Sequence, residues 1–212
     1  MKLRPKFFTS LLLLVVVPVI LMGMLSYVAY SDLIEKKAAT YFQLALKDAD
    51  RMLAFAMNEI NAVTDLAITQ NAVQELLKAP PEYISSEQAR ELSSTIMAHP
   101  KITSFSLYNQ RQMVYRTNYS SVNIPFETLI EMDAYNEAGR MKGRPLWIAP
   151  GENEWNESRS PEILIIRKIK DFHSLEDIGT LLVTVKPDVL EQVFWEASVD
   201  GEILLVNQSG RI

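Results

Sequence analysis

At 212 residues, with 48% hydrophobic residues, a formal charge of −5 and no cysteine, the chain has room for one domain plus a membrane anchor. The missing cysteines exclude disulfides, thiolate metal sites, thiol catalysis and lipid attachment through Cys. All 26 acidic residues lie beyond Ser31, against 18 of the 21 basic ones; that balance of −8 argues against nucleic acid and against anionic lipid headgroups as partners.

From Phe7 to Ser31 there are 25 residues without a charge. About 20 apolar residues span a bilayer as a helix, so 7–31 is read as a transmembrane helix. A cleaved signal peptide has a shorter apolar part and a small-x-small site, which Met24, Tyr27 and Tyr30 spoil here. Pro18 is compatible with a transmembrane helix. Lys2, Arg4 and Lys6 precede the run, and basic residues favour the cytoplasmic end. The expected location is the cell membrane, with residues 1–6 cytoplasmic and residues 32–212 outside the cell.

The apolar pattern then becomes periodic. Ile34, Ala38, Phe42, Ala45, Ala49, Met52, Ala56, Ile60, Val63 and Ala67 recur three or four apart, one face of an α-helix. No Gly or Pro occurs between residues 31 and 79, and Pro80-Pro81 ends the pattern. This predicts one long helix over 32–79, continuous with the anchor. Its upper half is expected to pack on the domain core. Ala38, Ala45, Ala49 and Ala56 would let a second copy approach, so a homodimer through this helix is also expected.

Ser85 to Gln88 has capping-box spacing and predicts a second helix to about Ala98. From Ile102 the period changes to two. Ile102–Tyr108 and Met113–Thr117 read as strands around an Asn109-Gln110-Arg111 turn. A helix over Phe126–Ala138 follows, then strands at Pro145–Ala149, Glu162–Lys170 and Ile178–Lys186. Residues 150–157 are polar and read as a surface loop, and Pro187-Asp188 opens a further helix. Gly201–Val206 reads as a strand, Asn207–Gly210 as a turn, and Arg211-Ile212 as the start of another strand. An exposed half-hairpin is an aggregation template, so residue 212 is expected to be a truncation point.

The expected fold class is α+β, with the long helix packed on an antiparallel sheet. The order of elements, with Ile178-Gly179-Thr180-Leu181-Leu182-Val183-Thr184-Val185 and the closing Gly201-Glu202-Ile203-Leu204-Leu205-Val206-Asn207-Gln208-Ser209-Gly210-Arg211-Ile212, resembles an extracellular double Cache (PAS-like) sensor. It is most similar to Gram-positive sensor histidine kinases of the YesM type. The resemblance implies a membrane-distal sensor domain over 32–200 and the first hairpin of a second subdomain over 201–212. It implies signal reception as the function, with the kinase region outside these residues. Chemotaxis receptors and cyclic-dinucleotide cyclases share such exteriors, and a non-signalling anchored adaptor is the competing class. The Tyr/Arg/Trp-Tyr/Asp constellation of amino-acid-binding members is absent as a contiguous string.

No Gly-rich phosphate loop or paired-histidine metal motif is present, and no carboxylate pair is singled out. No cofactor and no catalysis are expected in this chain. His173 lies in a polar loop, and His99 precedes Pro100 at a helix end. A pocket combines aromatic walls with a few fixed polar groups. The ligand-binding candidates are Tyr108, Tyr115 and Arg116 on the first hairpin, Trp147 on the third strand and Arg167 on the fourth. An Arg among aromatics could clamp a carboxylate or stack on a sugar. Taken singly, each is better read as structural, Tyr108 and Trp147 as core and Arg116 and Arg167 on a solvated sheet face. The expected partner is a small-molecule ligand or a ligand-loaded binding protein.

Overall fold

The computed structural model of the chain describes residues 3–78, 86–117, 122–148 and 162–189. The elements are α1 (Leu3–Ile68), α2 (Asn71–Lys78), α3 (Ser86–Ile96), β1 (Ile102–Asn109), β2 (Met113–Arg116), α4 (Phe126–Glu131), α5 (Asp133–Arg140), β3 (Leu146–Ile148), β4 (Ile163–Lys170) and β5 (Asp177–Val185). The described residues form two compact units, one up to Asp50 and one from Arg51 onward.

In the first unit, the large apolar side chains from Leu11 to Tyr30 are exposed, as an apolar solvent would require. Among the described residues, α1 is the one helix long and apolar enough to cross a membrane, by length and composition. Pro18 lies inside it. Asp32, the first charged residue after the apolar run, accepts from Lys36, the first basic one, with Nζ 2.8 Å from Oδ2 one turn away.

The second unit is built on a five-stranded antiparallel sheet in the order β2-β1-β5-β4-β3, a PAS-like arrangement. Both faces of the inner strands β4 and β5 are covered, as they are for β1, which is why Ile163 to Ile166 and Leu181 to Val183 are continuous apolar runs rather than alternations. On one face, Phe105, Leu107, Ile163, Ile165, Ile169, Leu181, Val183 and Val185 pack against Ile60 and Ala67 of α1, Val73, Leu76 and Leu77 of α2, and Leu92 and Ile96 of α3. On the other, Tyr108, Leu164, Ile166 and Leu182 pack against Val122, Ile124, Leu129 and Ala138.

The structure divides two helices that the periodicity joins. The helix expected to reach Lys78 stops at Ile68 and restarts at Asn71. Thr69 Oγ1 donates to the carbonyls of Asp65 (3.0 Å) and Leu66 (2.9 Å), occupying acceptors of the last turn. The redirected α2 buries Val73, Leu76 and Leu77 on the sheet side, so packing overrides local propensity. The helix expected over 126–138 is broken at Met132, which is extended (φ −68°, ψ 135°) and packs into the second core. Asp133 then supplies an acidic first turn to α5. The Ser85 cap, the 150–157 loop, the helix beyond Val189 and the 201–212 hairpin lie outside the described residues.

Candidate functional site: the α5 face of the sheet

Strand register decides which side chains share a face, because partners across a ladder point the same way. One row on the α4–α5 face is Met113, Tyr108, Thr180 and Lys168. The next is Arg116, Ser106, Leu182, Ile166 and Leu146. The third is Ser104, Thr184, Leu164 and Ile148. The inner part of this face is thus a floor of buried hydroxyls (Ser104, Ser106, Thr180, Thr184) bordered by aliphatic side chains. Ser104 Oγ donates to Thr184 Oγ1 at 2.9 Å.

Lys168 stands on that floor and is only 8% exposed. Its Nζ donates to Thr180 Oγ1 at 3.3 Å and lies 3.0 Å from the centroid of the Tyr135 ring on α5. Among the described residues no carboxylate pairs with it. An ammonium carries three donors, and removing it from water costs several kcal/mol unless an anion and hydrogen bonds compensate. One hydroxyl and one aromatic face supply part of that compensation; a desolvated cation–π contact is worth about 2 kcal/mol or more, but neither partner carries a negative charge. The chemistry left open at Lys168 is that of an anion receptor.

Tyr108 lies in the same row, between Met113 and Thr180. Its hydroxyl donates to the carbonyl of Ile124 at 2.8 Å, and its ring stacks on Phe126 with centroids 6.4 Å apart. Burial pushes its phenol up to about 12, outweighing a hydrogen bond with Ser106 and the field of Arg116 that lower it. Tyr108 is therefore a neutral wall that fixes the segment leading into α4. Arg116, by register on this face, is exposed at the β2 edge.

The five sequence candidates do not form one constellation. Tyr108 and Arg116 belong to the α5 face. Tyr115, Trp147 and Arg167 belong by register and packing to the α1 face. Tyr115 packs on Phe105 with ring centroids 5.3 Å apart. Trp147 Nε1 donates to Asn61 Oδ1 at 3.1 Å. Arg167, 8% exposed, donates from Nη1 to Thr64 Oγ1 (3.1 Å) and from Nε to the Gly143 carbonyl (2.6 Å), and its Nη2 pairs with Asp65. Lys168, Tyr135 and Thr180 are the residues that the sequence reasoning missed. A signal was present: two adjacent charges, Arg167-Lys168, interrupt a strand apolar on both sides, so one must lie on each face.

His173 is exposed in the β4–β5 turn, and His99 Nδ1 accepts from the Lys101 amide at 3.3 Å. Among the described residues no group of three His, Asp or Glu side chains could hold a metal ion.

No protein-family model matches the chain, and no curated protein matches it. Solved structures with a similar fold include the sensor domain of Escherichia coli DcuS, at 13% identity and a TM-score of 0.47, covering 68% of this chain and 98% of that one. The extracellular domain of vpHK1S-Z8, a histidine kinase by assignment, is 16% identical with a TM-score of 0.45, covering 73% and 62%. The ligand-binding domain of the Campylobacter jejuni chemoreceptor Tlp3, solved with L-valine, is 15% identical with a TM-score of 0.42, covering 74% and 65%.

Proposed function

We propose that this chain is the signal-sensing input portion of a membrane-anchored sensor, and that the α5 face of its sheet receives a small anionic ligand. The observation that carries the reading is the buried Lys168 ammonium, held by a hydroxyl and an aromatic ring without a counter-charge among the described residues. Buried charges are ordinarily paired, so an ammonium without a partner carboxylate favours a ligand that supplies one. A ligand carboxylate or phosphate would complete the charge, with the hydroxyl floor as further hydrogen-bonding groups.

The order of elements supports the finer assignment to a two-component sensor histidine kinase of the YesM type. So do Lys2, Arg4 and Lys6 before the apolar run, which favour a cytoplasmic N-terminus and an external sensor. The small residues Ala38, Ala45, Ala49 and Ala56 support a homodimer through α1. In this reading ligand binding biases one of two arrangements of the domain, which requires different affinities for the two.

Calorimetric titration of the whole chain with succinate, citrate and inorganic phosphate, beside glucose and maltose, tests the ligand class. Binding of an anion supports the assignment; binding of neutral sugars alone removes Lys168 from it. Cross-linking through Ala38 or Ala45 cysteine variants in membranes tests the dimer, and a strictly monomeric chain rules it out.

A further inference from the structure

Arg167 and Lys168 are consecutive on β4 and point to opposite faces, yet both engage the α5 region. Lys168 touches Tyr135 on α5 itself. Arg167 reaches the carbonyl of Gly143, three residues past the end of α5, while its other nitrogens hold Thr64 and Asp65 on the last turns of α1. We propose that Arg167 is a clamp that couples the position of α5 to that of α1 around the β3–β4 edge of the sheet.

The backbone between α5 and β3 is shaped for this contact. Met141 closes α5, with its amide donating to the Glu137 and Ala138 carbonyls. Lys142 (φ 55°) and Gly143 (φ 88°) are then both left-handed. Two such residues in succession turn the chain sharply, and the Gly143 carbonyl ends 2.6 Å from Arg167 Nε. A non-glycine residue at φ 88° is strained, so the aim of that carbonyl depends on glycine.

The α1 end is equally specific. Asn61, Thr64 and Asp65 stand at i, i+3 and i+4, one helical face. Thr64 Oγ1 accepts from Arg167 and itself donates to the Asn61 carbonyl at 2.8 Å, while Asn61 Oδ1 holds Trp147. The guanidinium spends donors on two neutral acceptors and one carboxylate, and a planar fork holds three directions at once as a lysine could not. Arg167 is a positioning residue, acting through Gly143, Thr64 and Asp65. The purpose assigned to the clamp, relaying ligand binding at α5, rests on the proposed ligand face. The contact geometry does not, and its test needs no ligand.

Coupling between two places is reciprocal. Hydrogen exchange of the full chain therefore reads it from both ends. D65N, a conservative change at a mostly exposed carboxylate, should raise amide exchange at residues 141–144 about fivefold, the low end of ordinary inter-site coupling. G143A should raise exchange at residues 61–68 by a similar factor. In an R167M background neither change should add a remote effect. E59Q, an exposed carboxylate change on the same helix, should leave residues 141–144 untouched. If D65N alters exchange only within α1, or if G143A still reaches 61–68 in R167M, the clamp is wrong. Should R167M fail to fold, the D65N and G143A pair decides alone. A loss of anion binding with reciprocity intact would instead overturn the ligand face and leave the clamp standing.

Discussion

The Lys168 ammonium lies 3.0 Å from the centroid of the Tyr135 ring, within a domain interior that offers it no carboxylate among the described residues. Desolvation opposes the aromatic contact and the Thr180 hydrogen bond there. Replacing Lys168 by Met keeps the length and removes the charge. Urea unfolding of K168M should show stability unchanged or raised by about 1 kcal/mol, the signature of a group retained for function rather than for folding. A loss of more than about 2 kcal/mol would make Lys168 a structural residue.

Gly179 has no room for a side chain. A Cβ there would sit 2.5 Å from the Tyr108 carbonyl and within 3 Å of both methyls of Leu77 on α2. Leu77 can yield, but the neighbouring strand's backbone carbonyl cannot without moving β1. Gly179→Ala should cost about 1–3 kcal/mol, the usual range for overpacking. Equilibrium denaturation checks it, and a neutral result would mean that β1 and β5 separate freely at this point.

Leu175 in the β4–β5 turn is left-handed (φ 59°) and two-thirds exposed. An L-residue in that region costs roughly 1–2 kcal/mol, and little apolar burial is lost on its removal. Leu175→Gly should therefore raise stability by about 0.5–1 kcal/mol after the extra unfolded-state entropy of glycine is deducted. Its melting temperature gives the answer directly.

Asp171 organises the same turn. Lys78 Nζ lies 2.5 Å from Oδ2, and the amides of His173 (2.7 Å) and Ser174 (3.3 Å) donate to Oδ1. The Lys78 contact first, then the His173 amide, hold its carboxyl at about 2, below the ordinary 3.8. A depressed folded value means that the stabilising contribution is complete above 3.8 and is lost as pH falls through about 2. D171N should flatten the acid limb of the melting curve over that window. The Lys170–Asp177 pair on the same hairpin is present in both proteins, so the difference isolates Asp171.

The change of hydrophobic period at Ile102 made the sheet legible, because alternation and β-branched runs are direct consequences of pleated geometry. Apolar length made the candidate span legible in the same way. The break at Thr69-Gln70 was not, since no Gly or Pro marks it and its cause is the burial of α2 on a distant sheet. The candidate site was half legible. Tyr108 and Arg116 share a face only because Arg116 pairs with Ser106 and Tyr108 lies two residues on, a register that composition does not encode. Trp147 and Arg167 are ligand candidates by residue type; in the fold Asn61, Thr64 and Asp65 engage their donors, a pairing that residue type does not encode.

The most direct measurement of the ligand assignment is the melting temperature of wild type and K168M, each with succinate, citrate or phosphate and with glucose. A ligand at about 100 times its Kd adds about 2.7 kcal/mol to the folded state. The expected result is a rise of several degrees for wild type with at least one anion, and none for K168M. Equal shifts in the two proteins, or no anion shifting wild type, would contradict an anion-sensing role for the α5 face.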